Sequence, residues 1–437
     1  MKICASFGSK DINSDDISAA DAVEIRTDIF DKIPKGILKK GQTGVLTFKT
    51  PIITSVIPEG WIVDIGESER PDVANTILSS YHDFGGTPDT DTVAGILNGL
   101  PGDILKGAFA VNSLKDNVTL LNAAGRISRE HVILGMGELG RITRIRQNLM
   151  KNKYTYAYVG KATAPGQFSV SEMKDIGDDC IVTGIIGSGI GYTRSPVMHD
   201  AAFAHSRMNG KYLTFDTPSL ELAKEFIVGF DIRGVNVTKP YKTDMIDHTD
   251  RCDRISETIG AVNTVVNDNG VLTGYNTDVC GIEMALRKSN VDVSGKRALI
   301  LGSGGAARAC AYYLSDNGCE TTITGRNIET AKNIASEFSV TARERTSVAV
   351  KGYDIIVNCT PLNKNNRISD YPVKIEQIDV SQTVFDMVYG DTHLYDVATE
   401  RKCVTVRGED MLAYQGMRSF ELFTSSGVPF GVMRGAI

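Results

Sequence analysis

One stretch constrains this chain more than any other: Lys296-Arg-Ala-Leu-Ile-Leu-Gly-Ser-Gly-Gly-Ala-Ala-Arg308. The apolar run 298–301 has strand length and stops at Gly302, and a helical-looking run, 306–314, follows. Between them Gly302, Gly304 and Ala307 fall in G-x-G-x-x-A spacing. A bound dinucleotide needs that order. The first glycine makes the tight turn, the second lets backbone approach a pyrophosphate, and the small third residue lets helix and strand pack closely. The free N–H groups of the helix start then face the phosphates. The spacing alone also occurs in ordinary turns. Its place between strand and helix favours a nucleotide cradle made of Gly302, Ser303, Gly304, Gly305 and Ala306.

The next β-branched run, 321–324, predicts a parallel strand with Gly325-Arg326-Asn327 at its carboxyl end. A carboxylate there would take the ribose 2′-hydroxyl of NAD, whereas an arginine suits a 2′-phosphate. Glu320 lies at the opposite end of the strand. The alternative is an ordinary solvated loop arginine; the expectation is NADP.

A length of 437 residues exceeds one ordinary domain and implies two or three. A net charge of −6 gives no reason to expect nucleic acid or an anionic membrane as partner. No apolar run approaches membrane-spanning length, and Met1-Lys-Ile-Cys opens directly into a strand, so neither anchor nor signal peptide is expected. The eight cysteines form no C-x-x-C and the six histidines no ligand pair. They read as reduced thiols of a cytoplasmic protein with no metal. Assembly is left open, a homo-oligomer included.

Before residue 180 short apolar runs alternate with helical spans. Strands are expected at 2–6, 22–26, 44–48, 61–65, 76–81, 104–110, 131–136 and 154–159. Eight such runs suggest a (β/α)8 barrel, whose chemistry sits at the carboxyl ends of its strands. The polar residues obey that rule: Glu24 and Arg26, Lys49, His82, Lys106, Arg144 and Gln167. About 170 residues is short for this barrel, so a shortened or partly open form is the alternative. Lys106 stands in the apolar context Gly102-Asp-Ile-Leu-Lys-Gly-Ala-Phe-Ala110. Burial there is expected to lower its pKa and free the amine to attack a carbonyl. His82 would be general acid and base, and Arg144 a fork for a carboxylate.

These residues carry a resemblance. Glu24-Ile-Arg26, Ser80-Tyr-His-Asp-Phe84, Lys106, Met136-Gly-Glu-Leu-Gly-Arg-Ile-Thr-Arg144 and Ala164-Pro-Gly-Gln167 look like the type I 3-dehydroquinate dehydratases. The resemblance implies a Schiff base between Lys106 and the substrate ketone, with His82 moving protons. It implies that Arg144 holds the substrate carboxylate and that Glu24, Arg26, Thr163 and Gln167 fix hydroxyls. Lys49 stands where the family usually has arginine, and the acidic residue expected soon after it is missing with the shortened segment.

The polar run 169–180 suggests a domain boundary, and a new β/α alternation starts at residue 181. Thr193-Arg-Ser195-Pro precedes a helix; its hydroxyls would cap that helix or hold a polyhydroxylated ligand. In Gly234-Val-Asn-Val-Thr-Lys-Pro-Tyr-Lys242, Pro240 makes a turn that aims Lys242 away from the sheet. Lys242 and Asp278 in one cleft would suit ketone reduction, and otherwise form a surface ion pair.

Residues 181–437 resemble shikimate dehydrogenase through Thr193-Arg-Ser-Pro196, Asn236-Val-Thr-Lys-Pro-Tyr-Lys242, Asn263, Asn276-Thr-Asp278, Gly302 to Ala306, Asn358-Cys-Thr-Pro361, Asp386-Met-Val-Tyr389 and Gly408-Glu-Asp-Met-Leu-Ala-Tyr-Gln415. The resemblance implies Lys242 and Asp278 as the catalytic pair. Thr193, Ser195, Thr238, Asn263, Tyr389 and Gln415 would contact substrate; Thr360, Met387 and Gly408 would line the cofactor side. The expected organisation is a barrel at 1–180, an α/β substrate domain at 181–285 completed by 411–437, and a Rossmann-type NADP domain at 286–410. The expected activity joins dehydration of 3-dehydroquinate to 3-dehydroshikimate with its NADPH-dependent reduction to shikimate. A quinate dehydrogenase, or an N-terminal part serving only as a binding module, are the rival readings.

Overall fold

The computed structural model describes residues 1–10, 14–49 and 51–437. The chain forms two compact units, residues 1–191 with 208–233 and residues 192–207 with 234–437.

The first unit contains the eight expected strands: β1 (Ile3–Phe7), β2 (Ala22–Arg26), β3 (Thr43–Thr47), β4 (Ile62–Asp64), β5 (Ile77–Asp83), β6 (Ile104–Ala110), β7 (Glu130–Met136) and β8 (Thr155–Val159). All are parallel, in the order β7-β6-β5-β4-β3-β2-β1-β8. Helices α1 (Ser14–Ala19), α2 (Thr90–Gly99), α3 (Leu114–Ala124), α4 (Ile142–Ile145) and α5 (Val170–Ile176) follow β1, β5, β6, β7 and β8. Among the described residues the β2–β3, β3–β4 and β4–β5 connections carry no α-helix. The barrel is therefore shortened, and only nearly closed.

The gap lies between β7 and β8, where side chains replace the missing ladder. Asn152 accepts from Ile133 N at 2.7 Å and donates to Ile133 O at 2.9 Å. Lys153 N donates to His131 O at 2.8 Å, and a single bridge pairs His131 with Asn152.

Strand alternation explains the interior. Cys4, Ala22, Val45, Ile62, Leu78, Ile104 and Val132, one from each of strands β1 to β7, pack with Tyr154 and Tyr156 as an apolar floor. Two residues further along each of six strands the same face presents Ser6, Glu24, Thr47, Asp64, Ser80 and Lys106, all buried. The barrel thus has a polar layer above an apolar one.

The same unit continues with the parallel pair β9 (Ile181–Gly187) and β10 (Gly210–Asp216). Helix α7 (Ala223–Gly229) packs on α3. Arg146 ties this region down, donating to Cys180 O, Phe230 O and Asp231 O at 3.1, 3.0 and 2.7 Å.

In the second unit α6 (Ser195–His205) starts with Pro196 in its first turn. Four strands, β11 (Gly234–Val237), β12 (Arg251–Cys252), β13 (Thr264–Asp268) and β14 (Val271–Tyr275), run in the order β11-β13-β14-β12. The β13–β14 hairpin turns on Asn269-Gly270, both with positive φ. After α8 (Arg254–Ile259) and α9 (Asp278–Lys288) comes a parallel sheet of β15 (Arg297–Leu301), β16 (Glu320–Thr324), β17 (Thr341–Ala342), β18 (Ile355–Asn358), β19 (Thr383–Asp386) and β20 (Val404–Arg407). Its order, β17-β16-β15-β18-β19-β20, is the 3-2-1-4-5-6 arrangement of the doubly wound dinucleotide fold. Ala298 and Ile300 face a core with α9, α10 (Gly305–Asp316) and α11 (Ile328–Phe338). Leu299 and Leu301 face the opposite core with α12 (His393–Glu400). Helix α13 (Gly408–Thr424) packs on α9, α6 and α14 (Phe430–Gly435).

Two candidate active sites

The barrel holds a cavity of about 290 Å³ lined by Glu24, Arg26, Lys49, His82, Lys106, Arg144, Thr163 and Gln167, every residue expected there from the sequence. Ser6, Phe84, Met136 and Tyr156 line it too and were missed. Lys106 Nζ lies 3.7 Å from Glu24 Oε1, 3.5 Å from Asp64 Oδ2 and 4.1 Å above the Tyr156 ring. Asp64 was also missed, although a carboxylate inside the apolar run 61–65 is the kind of signal that singled out Lys106.

The electrostatics correct one expectation. Burial does push Lys106 toward the neutral amine, but Glu24, Asp64 and Cys4 outweigh it, and its pKa is raised. The resting lysine is an ammonium. Glu24 is held below the usual carboxylate range despite burial, by Lys106 and by hydrogen bonds from Ser6 and Thr47. His82 is pulled down to about 4 by burial and by the charges of Lys106 and Lys49, so it is a neutral imidazole near pH 7.

Arg144 is 2% exposed, and burial lowers it to about 10. It donates to Tyr156 O at 3.3 Å while its buried Nε has no partner among the described residues, which leaves a charged donor facing the cavity unsatisfied. Arg26 forms a two-pronged pair with Asp28, at 3.1 and 2.6 Å. Gln167 Oε1 accepts from Thr163 N, Thr163 Oγ1 and Ala164 N, which folds the loop after β8 onto itself.

In the second unit Lys242 Nζ meets Asp278 Oδ2 at 2.5 Å. Asn263 Nδ2 donates to Asp278 Oδ1 at 2.8 Å, and its Oδ1 accepts from Thr277 N at 2.7 Å. Behind it Thr264, Thr277, Asn236 and Ser419 share a buried hydroxyl and amide network, from which Thr277 donates to Gln415 Oε1 at 3.4 Å. Sequence reasoning missed Thr277 and Ser419. Gln415 comes close because α13 crosses α9 at Gly281, where an added Cβ would sit 2.7 Å from Met411 O. Thr193 and Ser195 pair with each other at 3.2 Å, and Thr238 sits in the turn after β11. Among the described residues no hydrogen bond joins those three to the Lys242 cluster. Tyr389 is 38% exposed overall, and partial desolvation and the nearby charge of Asp278 push its hydroxyl up.

The expected cofactor residues gather along the carboxyl edge of the parallel sheet. Gly302 has φ +114° and a Cβ there would stand 2.9 Å from Cys359 O, so only glycine fits the turn. Ser303 abuts Gly325, Met387 touches Cys359 Sγ at 3.6 Å, and Gly408 closes on Met387 O. Thr360 Oγ1 is held by Asn358 at 2.6 Å, and Asn327 caps α11. Helix α10 starts at Gly304 with no side-chain cap, which leaves its first N–H groups for phosphate oxygens. Lys242 Cδ would be 3.3 Å from a Cβ on Gly305, so the lysine borders the cradle. The residues fit an NADP-type dinucleotide. No group of His, Cys, Asp and Glu suited to a metal occurs among the described residues.

A buried lysine in a nearly closed barrel, followed by a Lys–Asp pair beside a doubly wound sheet, defines a class of two-site α/β protein. The chain belongs to the shikimate dehydrogenase family and carries a type I 3-dehydroquinase domain ahead of it. Family models match at residues 185–265 (shikimate dehydrogenase substrate binding domain), 283–386 (shikimate / quinate 5-dehydrogenase), 408–437 (shikimate 5′-dehydrogenase C-terminal domain) and 57–178 (type I 3-dehydroquinase). The NADP(+) shikimate dehydrogenase of Carboxydothermus hydrogenoformans is 36% identical over 59% of this chain and 96% of its own. Shikimate 5-dehydrogenase of Thermus thermophilus, solved with NADP(H) and shikimate, is 29% identical over 59% of this chain and 98% of its own, with a TM-score of 0.54. The dehydroquinate dehydratase and shikimate dehydrogenase part of S. pombe AroM shares the fold over 100% of this chain and 98% of its own, at 19% identity and a TM-score of 0.50.

Proposed function

We propose that this chain is a bifunctional enzyme that dehydrates 3-dehydroquinate in its barrel and reduces the resulting 3-dehydroshikimate to shikimate with NADPH. The observation that carries the reading is the convergence of eight residues, named from the sequence alone, on one cavity around Lys106. We assign dehydration to residues 1–180. Substrate binding for the reduction falls to 181–285 with 411–437, and NADP to 286–410.

In the barrel Lys106 first loses a proton. Its amine then adds to the ketone, and loss of water leaves an iminium. The iminium acidifies the neighbouring C–H, whose proton passes to neutral His82. His82 returns a proton to the departing hydroxyl, and water hydrolyses the imine to release product and lysine. Arg144 holds the substrate carboxylate; Glu24, Arg26, Lys49, Thr163 and Gln167 hold its oxygens.

In the second site NADPH supplies the hydride. Lys242 donates the proton to the developing alkoxide, and Asp278 fixes the ammonium. Thr193, Ser195, Thr238, Asn263, Tyr389 and Gln415 orient the substrate. The nucleotide is held by Gly302 to Ala306, Gly325, Arg326, Asn327, Thr360, Met387 and Gly408. We assign the enzyme to the cytoplasm; no disulfide is formed among the described residues, and no helix among them is long and apolar enough to cross a membrane.

A coupled assay tests the reading. 3-Dehydroquinate alone should give 3-dehydroshikimate, and adding NADPH should convert that to shikimate. Borohydride added during turnover should label Lys106. Absence of the adduct would overturn the imine mechanism, and faster turnover of quinate than shikimate would favour the rival dehydrogenase.

A further inference from the structure

Two adjacent strands of the dinucleotide sheet run into arginines at the same edge. Strand β16 ends at Thr324 and continues into Gly325-Arg326, while β17 ends at Ala342 and continues into Arg343. The strands are parallel with Ile323 beside Ala342, so Arg343 stands level with Thr324, and its N–H donates to Ile323 O at 3.0 Å. Both arginines are exposed. Neither guanidinium has a hydrogen-bond or ion-pair partner among the described residues. Three other cations of this domain are engaged: Arg308 with Glu337, Lys332 with Glu329, and Arg345 with the carbonyls of Asp370 and Tyr371. Asn327 caps α11 through its Oδ1, which accepts from Glu329 N and Thr330 N, and its amide carries no charge to match a phosphate.

A 2′-phosphate carries about −1.5 to −2 charge near neutral pH and three acceptor oxygens, more than one guanidinium fork satisfies. We propose that Arg343 is a second specificity-determining residue, which shares the 2′-phosphate of NADP with Arg326. The proposal rests on the NADP reading and extends it to a residue on the neighbouring strand. Two unneutralised guanidiniums on one edge repel each other until a dianion lies between them, so the pair favours the phosphorylated cofactor over NAD.

Calorimetric titration of NADP+ and NAD+ into the intact enzyme, Arg326→Ala, Arg343→Ala and Arg343→Lys tests it, with thermal melting to check folding. We expect Arg343→Ala to weaken NADP+ binding about tenfold and to leave NAD+ within about twofold, with Arg343→Lys recovering part of the loss. NADP+ weakened by Arg326→Ala but not by Arg343→Ala would overturn this inference and leave the NADP reading standing. Equal binding of both cofactors to the unaltered enzyme would overturn the NADP reading itself. Equal weakening of both cofactors by Arg343→Ala would mark a structural role and also overturn the inference.

Discussion

Lys106 Nζ and Asp64 Oδ2 stand 3.5 Å apart at the centre of the barrel, both buried, with Glu24 at 3.7 Å on the other side of the amine. One ammonium between two carboxylates leaves the layer with a surplus negative charge. That surplus, not desolvation, decides the protonation of the lysine, whose pKa is raised. The nucleophile therefore rests protonated and has to be released for attack.

The pH dependence of dehydration follows from this. Free amine grows with pH, so kcat/KM should climb through the neutral range, while His82, at about 4, adds no acid limb until well below pH 6. Asp64→Asn removes one charge that favours the ammonium and should move the rising limb down by about 1 pH unit or more. A limb that stays in place or moves upward would show that Asp64 does not set the lysine's charge.

Arg144 gives the second prediction. Its guanidinium is buried with Nε unsatisfied, a cost to the folded protein that the proposed carboxylate ligand would offset. Arg144→Met should abolish dehydration while leaving the melting temperature of the barrel equal or higher. A clear fall in that temperature would mean that the arginine is structural.

Asn152 gives the third. Its carboxamide stands in for a ladder rung between β7 and the chain entering β8. Asn152→Ala strands the buried N–H and C=O of Ile133 and should cost about 2–4 kcal/mol in denaturant unfolding. Shikimate oxidation, housed in the other unit, should survive where dehydration is lost. A variant as stable as the parent would remove the seam from the account.

The strands were readable because each barrel segment contains a short apolar run of strand length, and the nucleotide turn because glycine spacing and strand–helix order are local. The charge of Lys106 was not readable. Glu24 on β2 and Asp64 on β4 reach it only through the register of a curved sheet, and no local pattern carries that. The three-residue strand β4 lies between helix-less connections, so Asp64 offered little periodicity to place it. Thr277 and Ser419 were hidden for a similar reason: one precedes α9, the other lies on α13, and only the close crossing at Gly281 brings them together.

That network carries the last prediction. Asn263 binds Asp278 Oδ1 at 2.8 Å while Asp278 Oδ2 binds Lys242, so the carboxylate is fixed from both sides. Asn263 is itself locked, because Thr277 N donates to its Oδ1 at 2.7 Å. A hydrogen bond to a charged group is worth about 1.5–3 kcal/mol, or roughly 10- to 100-fold in rate if it acts on the transition state. Asn263→Ala should therefore lower kcat for shikimate oxidation by about that factor, since the proton-transfer pair loses its orientation. It should also raise the shikimate KM, since the same amide is assigned to the substrate. The NADP+ dissociation constant, set on the carboxyl edge of the parallel sheet, should stay within about twofold, a change worth less than about 0.5 kcal/mol. Dehydration in the barrel should be unaffected. A variant in which only KM rises would show that Asn263 holds substrate without orienting Asp278.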